Sequence, residues 1–150
     1  MRLLTVFFLG FLLLLPAVAA AQDNSHLKIE ITPLHAAVKN TDTLSINTKI
    51  SNIGPDDRRL QVWSCSYPEM WRSDSPAVTV EQVSCKKNGL QNVTLKPGEA
   101  YARELSVRVS VKALELAPES VTFRLGFAPS FLLKGPPVIW SKAVTVGLTE

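Results

Sequence analysis

At 150 residues, with 46% hydrophobic and 19% charged side chains, the chain is long enough for one domain with a real core and too short for two. Its formal charge of +3 comes from 16 basic and 13 acidic residues scattered without a run of one sign. That balance excludes a nucleic-acid or anionic-membrane surface as the main partner.

The first residues read as an export signal. Arg2 supplies a positive start, Leu3 to Leu15 an apolar run, and Ala17-Val18-Ala19-Ala20-Ala21 the small residues that a signal peptidase accepts. The run is short for a bilayer span, so cleavage is expected after residues 1–21, leaving residues 22–150 as a single domain. The alternative is an uncleaved segment, which would then be the chain's membrane attachment.

Leu27, Ile29 and Ile31 alternate with Lys28, Glu30 and Thr32 until Pro33 interrupts, as expected of a half-buried strand at a sheet edge. Leu44, Ile46, Thr48 and Ile50 alternate next, and Asn52-Ile53-Gly54-Pro55-Asp56-Asp57 is a dense cluster of turn formers. Leu60 to Cys65 continues as a third strand. Pro68 and Pro76 remove donors and bias the residues before them away from helix, so 66–76 is expected as a loop without a regular ladder. Val78, Val80 and the run to Cys85 resume the extended pattern, and Lys86-Lys87-Asn88-Gly89 turns. Val93 and Leu95 lead into Lys96-Pro97-Gly98-Glu99, which suits a type II turn.

The strongest periodicity follows, with Tyr101, Arg103, Leu105, Val107, Val109 and Val111 on one face of a long strand. Lys112 to Glu119 has room for one helical turn. Val121, Phe123, Leu125 and Phe127 alternate again, 128–137 loops, and Ile139 to Leu148 is the last strand. No stretch keeps a helical period, and no connection is long enough for a crossover helix. The expected fold is therefore all-β, an antiparallel two-layer sandwich of seven or eight strands.

The two cysteines, Cys65 and Cys85, lie 20 positions apart in a chain bound for an oxidising compartment, so a disulfide is expected. The alternative is two buried thiols. A redox dithiol would call for a Cys-x-x-Cys spacing or a helix start after Cys65, and neither is present.

The turn Asn52-Ile53-Gly54, the segment Thr122-Phe123-Arg124-Leu125-Gly126-Phe127 and the closing Trp140-Ser141-Lys142-Ala143-Val144-Thr145-Val146 resemble pieces of small bacterial exported domains with an immunoglobulin-like fold. The turn Leu95-Lys96-Pro97-Gly98-Glu99 is also similar to that of the intracellular proteinase inhibitor family, likewise immunoglobulin-like. That resemblance implies loops inserted into a protease cleft.

Enzyme activity is not expected. The only histidines, His26 and His35, sit in no recognisable nucleophile–base arrangement, and no glycine loop for phosphate appears. No cofactor is expected either. A copper or zinc set drawn from Cys65, Cys85, Met70 and a histidine would lose two ligands to the disulfide, and no His or Cys follows Cys85. Oxygens of the Asn52 to Asp57 turn suit calcium less simply than they suit capping of their own turn.

Binding is the remaining class. Tyr67, Glu69, Met70, Trp71, Arg72 and Asp74 form the densest non-periodic group of aromatic and charged residues, beside the cysteine bridge. Trp71 is expected to fold back over an open end of the sandwich, while Tyr67 and Met70 suit either the core or a recognition surface. Phe131-Leu132-Leu133, in the 128–137 loop, is an apolar triplet that either marks a partner surface or tucks under the sheet. Asn92-Val93-Thr94 matches a glycosylation acceptor, meaningful in a eukaryotic secretory pathway. The function expected is an exported, non-enzymatic binding or accessory module in a periplasm or outside the cell, its partner another protein or an envelope component. A protease inhibitor and a structural envelope protein are the alternatives.

Overall fold

A computed structural model describes residues 26–111, 118–128 and 139–149. The export segment, the 112–117 part of the expected helical turn, and Phe131, Leu132 and Leu133 lie outside the described residues.

The fold is all-β, as the alternation requires. Its strands are β1 (Leu27–Pro33), β2 (Ala37–Lys39), β3 (Thr43–Asn52), β4 (Arg58–Trp63), β5 (Trp71–Ser73), β6 (Val78–Val80), β7 (Leu90–Leu95), β8 (Ala100–Val109), β9 (Ser120–Phe123), β10 (Leu125–Phe127), β11 (Ile139–Trp140) and β12 (Val144–Thr149). One sheet has the order β1-β3-β8-β6, antiparallel throughout. That order is the A, B, E, D arrangement of immunoglobulin-type sandwiches. After β1 the chain leaves this sheet, and β2 pairs in parallel with β12.

β9 and β12 pair antiparallel, and so do β10 and β11. The register steps from Phe123↔Val144 to Gly126↔Trp140, so Arg124 and Leu125 stand against Ser141, Lys142 and Ala143. One extra residue on one chain is a β-bulge, which bends the pair and splits the expected last strand into β11 and β12. Ser141, 5% exposed, pins the bend. Its amide donates to the Leu125 carbonyl at 2.9 Å, and its Oγ accepts from the Leu125 amide at 3.1 Å.

Several expected strands are shorter than their alternation suggests; among the described residues they become ten segments, and β2 and β5 are two further short strands that the alternation did not mark. The third ends at Trp63 and the fourth at Val80, and the chain runs irregularly from there to Cys85. Conversely, the stretch 66–76 is not wholly a loop. Trp71–Ser73 forms β5, paired with Leu125 to Phe127. Pro68 and Pro76 flank the three paired residues, so neither removes a ladder donor.

The core is built from alternate residues of both layers: Leu44, Ile46 and Ile50 of β3 and Leu105, Val107 and Val109 of β8 meet Leu60, Val62, Phe123, Leu125, Phe127 and Val146. β4 and β7 form a two-stranded ribbon, pinned at one end by Asn52, which is fully buried. The Asn52 Nδ2 donates to the carbonyls of Asp56 at 2.8 Å and Leu95 at 2.9 Å, and its Oδ1 accepts from the Gly54 amide at 3.0 Å. The side chain thus joins the β3–β4 turn to the β7–β8 turn. In the latter, the Glu99 amide donates to the Lys96 carbonyl, and Gly98 has φ +81°, the type II geometry expected of Pro97-Gly98.

Candidate functional site

Cys65 and Cys85 are joined as expected, with Cα atoms 6.0 Å apart. The bridge ties the end of β4 to the irregular segment after β6. Asn88 closes the same corner: its Oδ1 accepts from the amides of Cys65 at 3.2 Å and Ser66 at 3.3 Å, and its Nδ2 bonds the Ser66 hydroxyl. The chain then makes one 3-10 turn, Tyr67–Met70, with Pro68 at its start, where a missing amide hydrogen costs nothing.

This turn drives its large side chains inward. Tyr67, Met70 and Trp71 are 4%, 1% and 2% exposed. Tyr67 meets Trp71 edge to face at 5.9 Å and Tyr101 at 5.7 Å, and Trp71 lies 5.1 Å from Phe127. Such pairs add to the large apolar area they bury. The Tyr67 hydroxyl sits 3.4 Å from Thr48 Oγ1, itself bonded to the Arg103 carbonyl at 2.7 Å. Burial pushes the Tyr67 phenol well above its ordinary range, outweighing the opposite influence of Thr48 and Trp71. Trp71 thus folds back into the core as expected, and of the two readings open for Tyr67 and Met70 the core is the one observed, so the three are corrected from binding candidates to a core plug. Their bulk is worth more against Tyr101 and Phe127 than in water.

Glu69, Arg72 and Asp74 remain exposed. Alternation along β5 explains the split, since Trp71 and Ser73 point one way and Arg72 the other. Across the sheet Arg72 stands beside Gly126, and Gly126 beside Trp140. One row further, the Asp74 carboxylate accepts from the Arg124 amide at 2.7 Å and from its Nε at 2.8 Å. Partial burial alone would raise the Asp74 pKa, but these hydrogen bonds and the Arg124 charge reverse that and hold it below the usual carboxylate range. The clamped guanidinium lies 5.3 Å from the centre of the Trp140 ring, a cation–π contact. Trp140 is 38% exposed.

The outward face of β5-β10-β11 thus gathers Arg72, Asp74, Arg124 and Trp140. Two of these were singled out from the sequence and two were missed. The missed pair did carry a signal: Arg124 interrupts Phe123 and Leu125, and Trp140 follows Ile139, so alternation places both outward. The Ala128 amide donates to the Met70 carbonyl at 3.0 Å, so the residue entering 129–138 adjoins the 3-10 turn, although Phe131, Leu132 and Leu133 themselves are not described.

The other candidates are dispersed. His26 packs against Gly54, where an added Cβ would stand 2.7 Å from its own Cβ, and His35 is exposed between β1 and β2. Among the described residues, no three His, Cys, Asp or Glu side chains converge as a metal site. Asn92 is exposed on β7.

No known protein family matches the chain, and no curated protein matches it. Among solved structures it is similar to a FixG-related protein from Vibrio parahaemolyticus, with a TM-score of 0.46 and 8% identity over 83% of this chain and 98% of that one. It is also similar to a β-glucosidase from Erythrobacter marinus, with a TM-score of 0.38 and 12% identity over 82% of this chain and 15% of that one.

Proposed function

We propose that the protein is an exported, non-enzymatic binding or accessory domain, which meets a protein or envelope partner through the outward face of β5-β10-β11. Export is supported by the apolar leader with its small-residue cleavage stretch and by the Cys65–Cys85 bridge. Among the described residues, no helix is long and apolar enough to cross a membrane.

The observation that carries the reading is the exposed Trp140 ring, with the Arg124 guanidinium held over it by Asp74 and the Arg72 side chain beside it. Tryptophan and arginine are the residues that most often anchor protein interfaces, and a guanidinium already fixed by a carboxylate loses little freedom when a partner docks. Photo-crosslinking from an exposed position on this face, in intact cells, tests it. Arg72→Ala with Trp140→Ala is expected to lower the yield of the crosslinked partner about ten-fold or more. Recovery of the same partner in the same yield would sink the assignment of this face.

A further inference from the structure

Asn88-Gly89 is the only Asn-Gly pair in the chain, and both residues are exposed. The fold gives this glycine no conformational duty. Gly98 alone among the described glycines has a positive φ, and a Cβ built on Gly89 would meet nothing nearer than Ser64 Oγ at 3.9 Å, an ordinary contact. What the glycine does supply is chemical access. Without a Cβ beside it, its amide nitrogen is unhindered in closing on the carboxamide carbon of the asparagine before it.

Both reacting groups are engaged elsewhere in the folded corner. The Asn88 carboxamide is held by the Cys65 and Ser66 amides and the Ser66 hydroxyl. The Gly89 amide donates to Ser64 Oγ at 3.1 Å, and the Gly89 carbonyl accepts from the Ser64 amide at 2.9 Å. Every one of these partners belongs to residues 64–66. That strand end is fastened on both sides of Asn88, by the Ser64–Gly89 pair after it and by the Cys65–Cys85 bridge just before it. Both cysteines are half-buried, so the bridge is open to a reductant.

We propose that Asn88 is a self-modification site, converted to isoaspartate by the Gly89 amide, and that the Cys65–Cys85 bridge holds the reaction back. A dithiol reduces the bridge, becoming a disulfide itself while Cys65 and Cys85 become thiols. Residues 64–66 can then part from Asn88 and Gly89. The Gly89 nitrogen gives up its proton and bonds the Asn88 Cγ, the Cγ–Nδ2 bond breaks, and Nδ2 leaves with that proton as ammonia. Water opens the resulting cyclic imide at either carbonyl, to aspartate or isoaspartate. Aspartate keeps the acceptor contacts to the Cys65 and Ser66 amides. Isoaspartate routes the main chain through the side-chain carbons, so those contacts and the Ser64–Gly89 pair cannot both be kept, and the corner stays loosened after the bridge re-forms. The site is separate from the Trp140 face and does not depend on what that face binds.

The test incubates the purified protein at mildly alkaline pH with and without dithiothreitol. Peptide mapping reads the mass gain of amide to acid at Asn88, and an isoaspartate methyltransferase labels the rearranged product. Asn88 is expected to react at least about ten-fold faster with reductant, and ahead of the exposed Asn92. Gly89→Ala should slow the reduced protein by about ten-fold or more, because a methyl group obstructs the ring closure. Asn88→Asp should keep the wild-type urea midpoint, whereas the isoaspartate form should fall below it. Equal rates with and without reductant overturn the proposal, as does an unchanged rate in Gly89→Ala. Loss of the near-ultraviolet circular dichroism under reductant would make global unfolding the cause, and overturns the gate too. Ser64→Ala with Ser66→Ala tests the lock in the oxidised protein: a faster reaction at Asn88 supports it, and an unchanged rate overturns it.

Discussion

Trp71 and Trp140 stand one residue out of register on β5 and β11, the two strands that flank β10, and that offset sends them to opposite sides of one sheet. Trp71 aligns with Phe127 and Ile139 and is buried, while Trp140 aligns with Gly126 and Arg72 and is exposed. Truncating each should separate stability from binding. Trp71→Ala empties a core site and is expected to cost about 3–5 kcal/mol in urea unfolding, against under about 1 kcal/mol for Trp140→Ala. Equal losses would mean that Trp140 is structural. Asp74 adds a pH signature. Its folded pKa is depressed, so its contribution is fully present above the unfolded carboxylate value and is lost as pH falls through the folded one. Melting from pH 7 down to about pH 2 should show the gap between wild type and Asp74→Asn closing below about pH 4. A constant gap would show that the charge on Asp74 contributes nothing.

At the scale of elements, turns and bulges determine where the strands end. The Asn52 side chain serves two turns at once, and no residue at that place other than asparagine offers two donors and an acceptor in so short a side chain. Asn52→Ala leaves the Asp56 and Leu95 carbonyls and the Gly54 amide short of partners, and is expected to lower unfolding free energy by about 3 kcal/mol, read from the urea midpoint. Asn52→Asp should recover none of this, since a carboxylate keeps the bond from Gly54 but buries its charge against both carbonyl oxygens. A loss under about 0.5 kcal/mol would remove Asn52 from this role. The type II turn at Pro97-Gly98 was legible because only a left-handed residue completes it. The bulge at 141–143, opposite Arg124 and Leu125, was not, because it depends on counting residues across two segments that sequence does not align.

For the whole molecule, the Cys65–Cys85 bridge ties the end of β4 to the irregular segment after β6 and so limits how far the 66–76 stretch between them can move from the core. Replacing both cysteines by serine is expected to cost about 3 kcal/mol, and reductant should cost the unaltered protein a similar amount. Undiminished stability under reductant would mean that packing of Tyr67, Met70 and Trp71 alone holds the corner. The alternation of Leu27 to Ile31, Leu44 to Ile50 and Tyr101 to Val111 determined an all-β antiparallel fold and its edge strand, because side-chain direction along a strand has a period of two regardless of partner. Prolines and aromatics between the cysteines marked an irregular, important stretch without saying which way it faced. Only the tertiary structure decided that the aromatics plug the core and that Arg72 and Asp74 join Arg124 and Trp140. Those contacts depend on strand register across 50 and more residues, and local pattern carries no information about register.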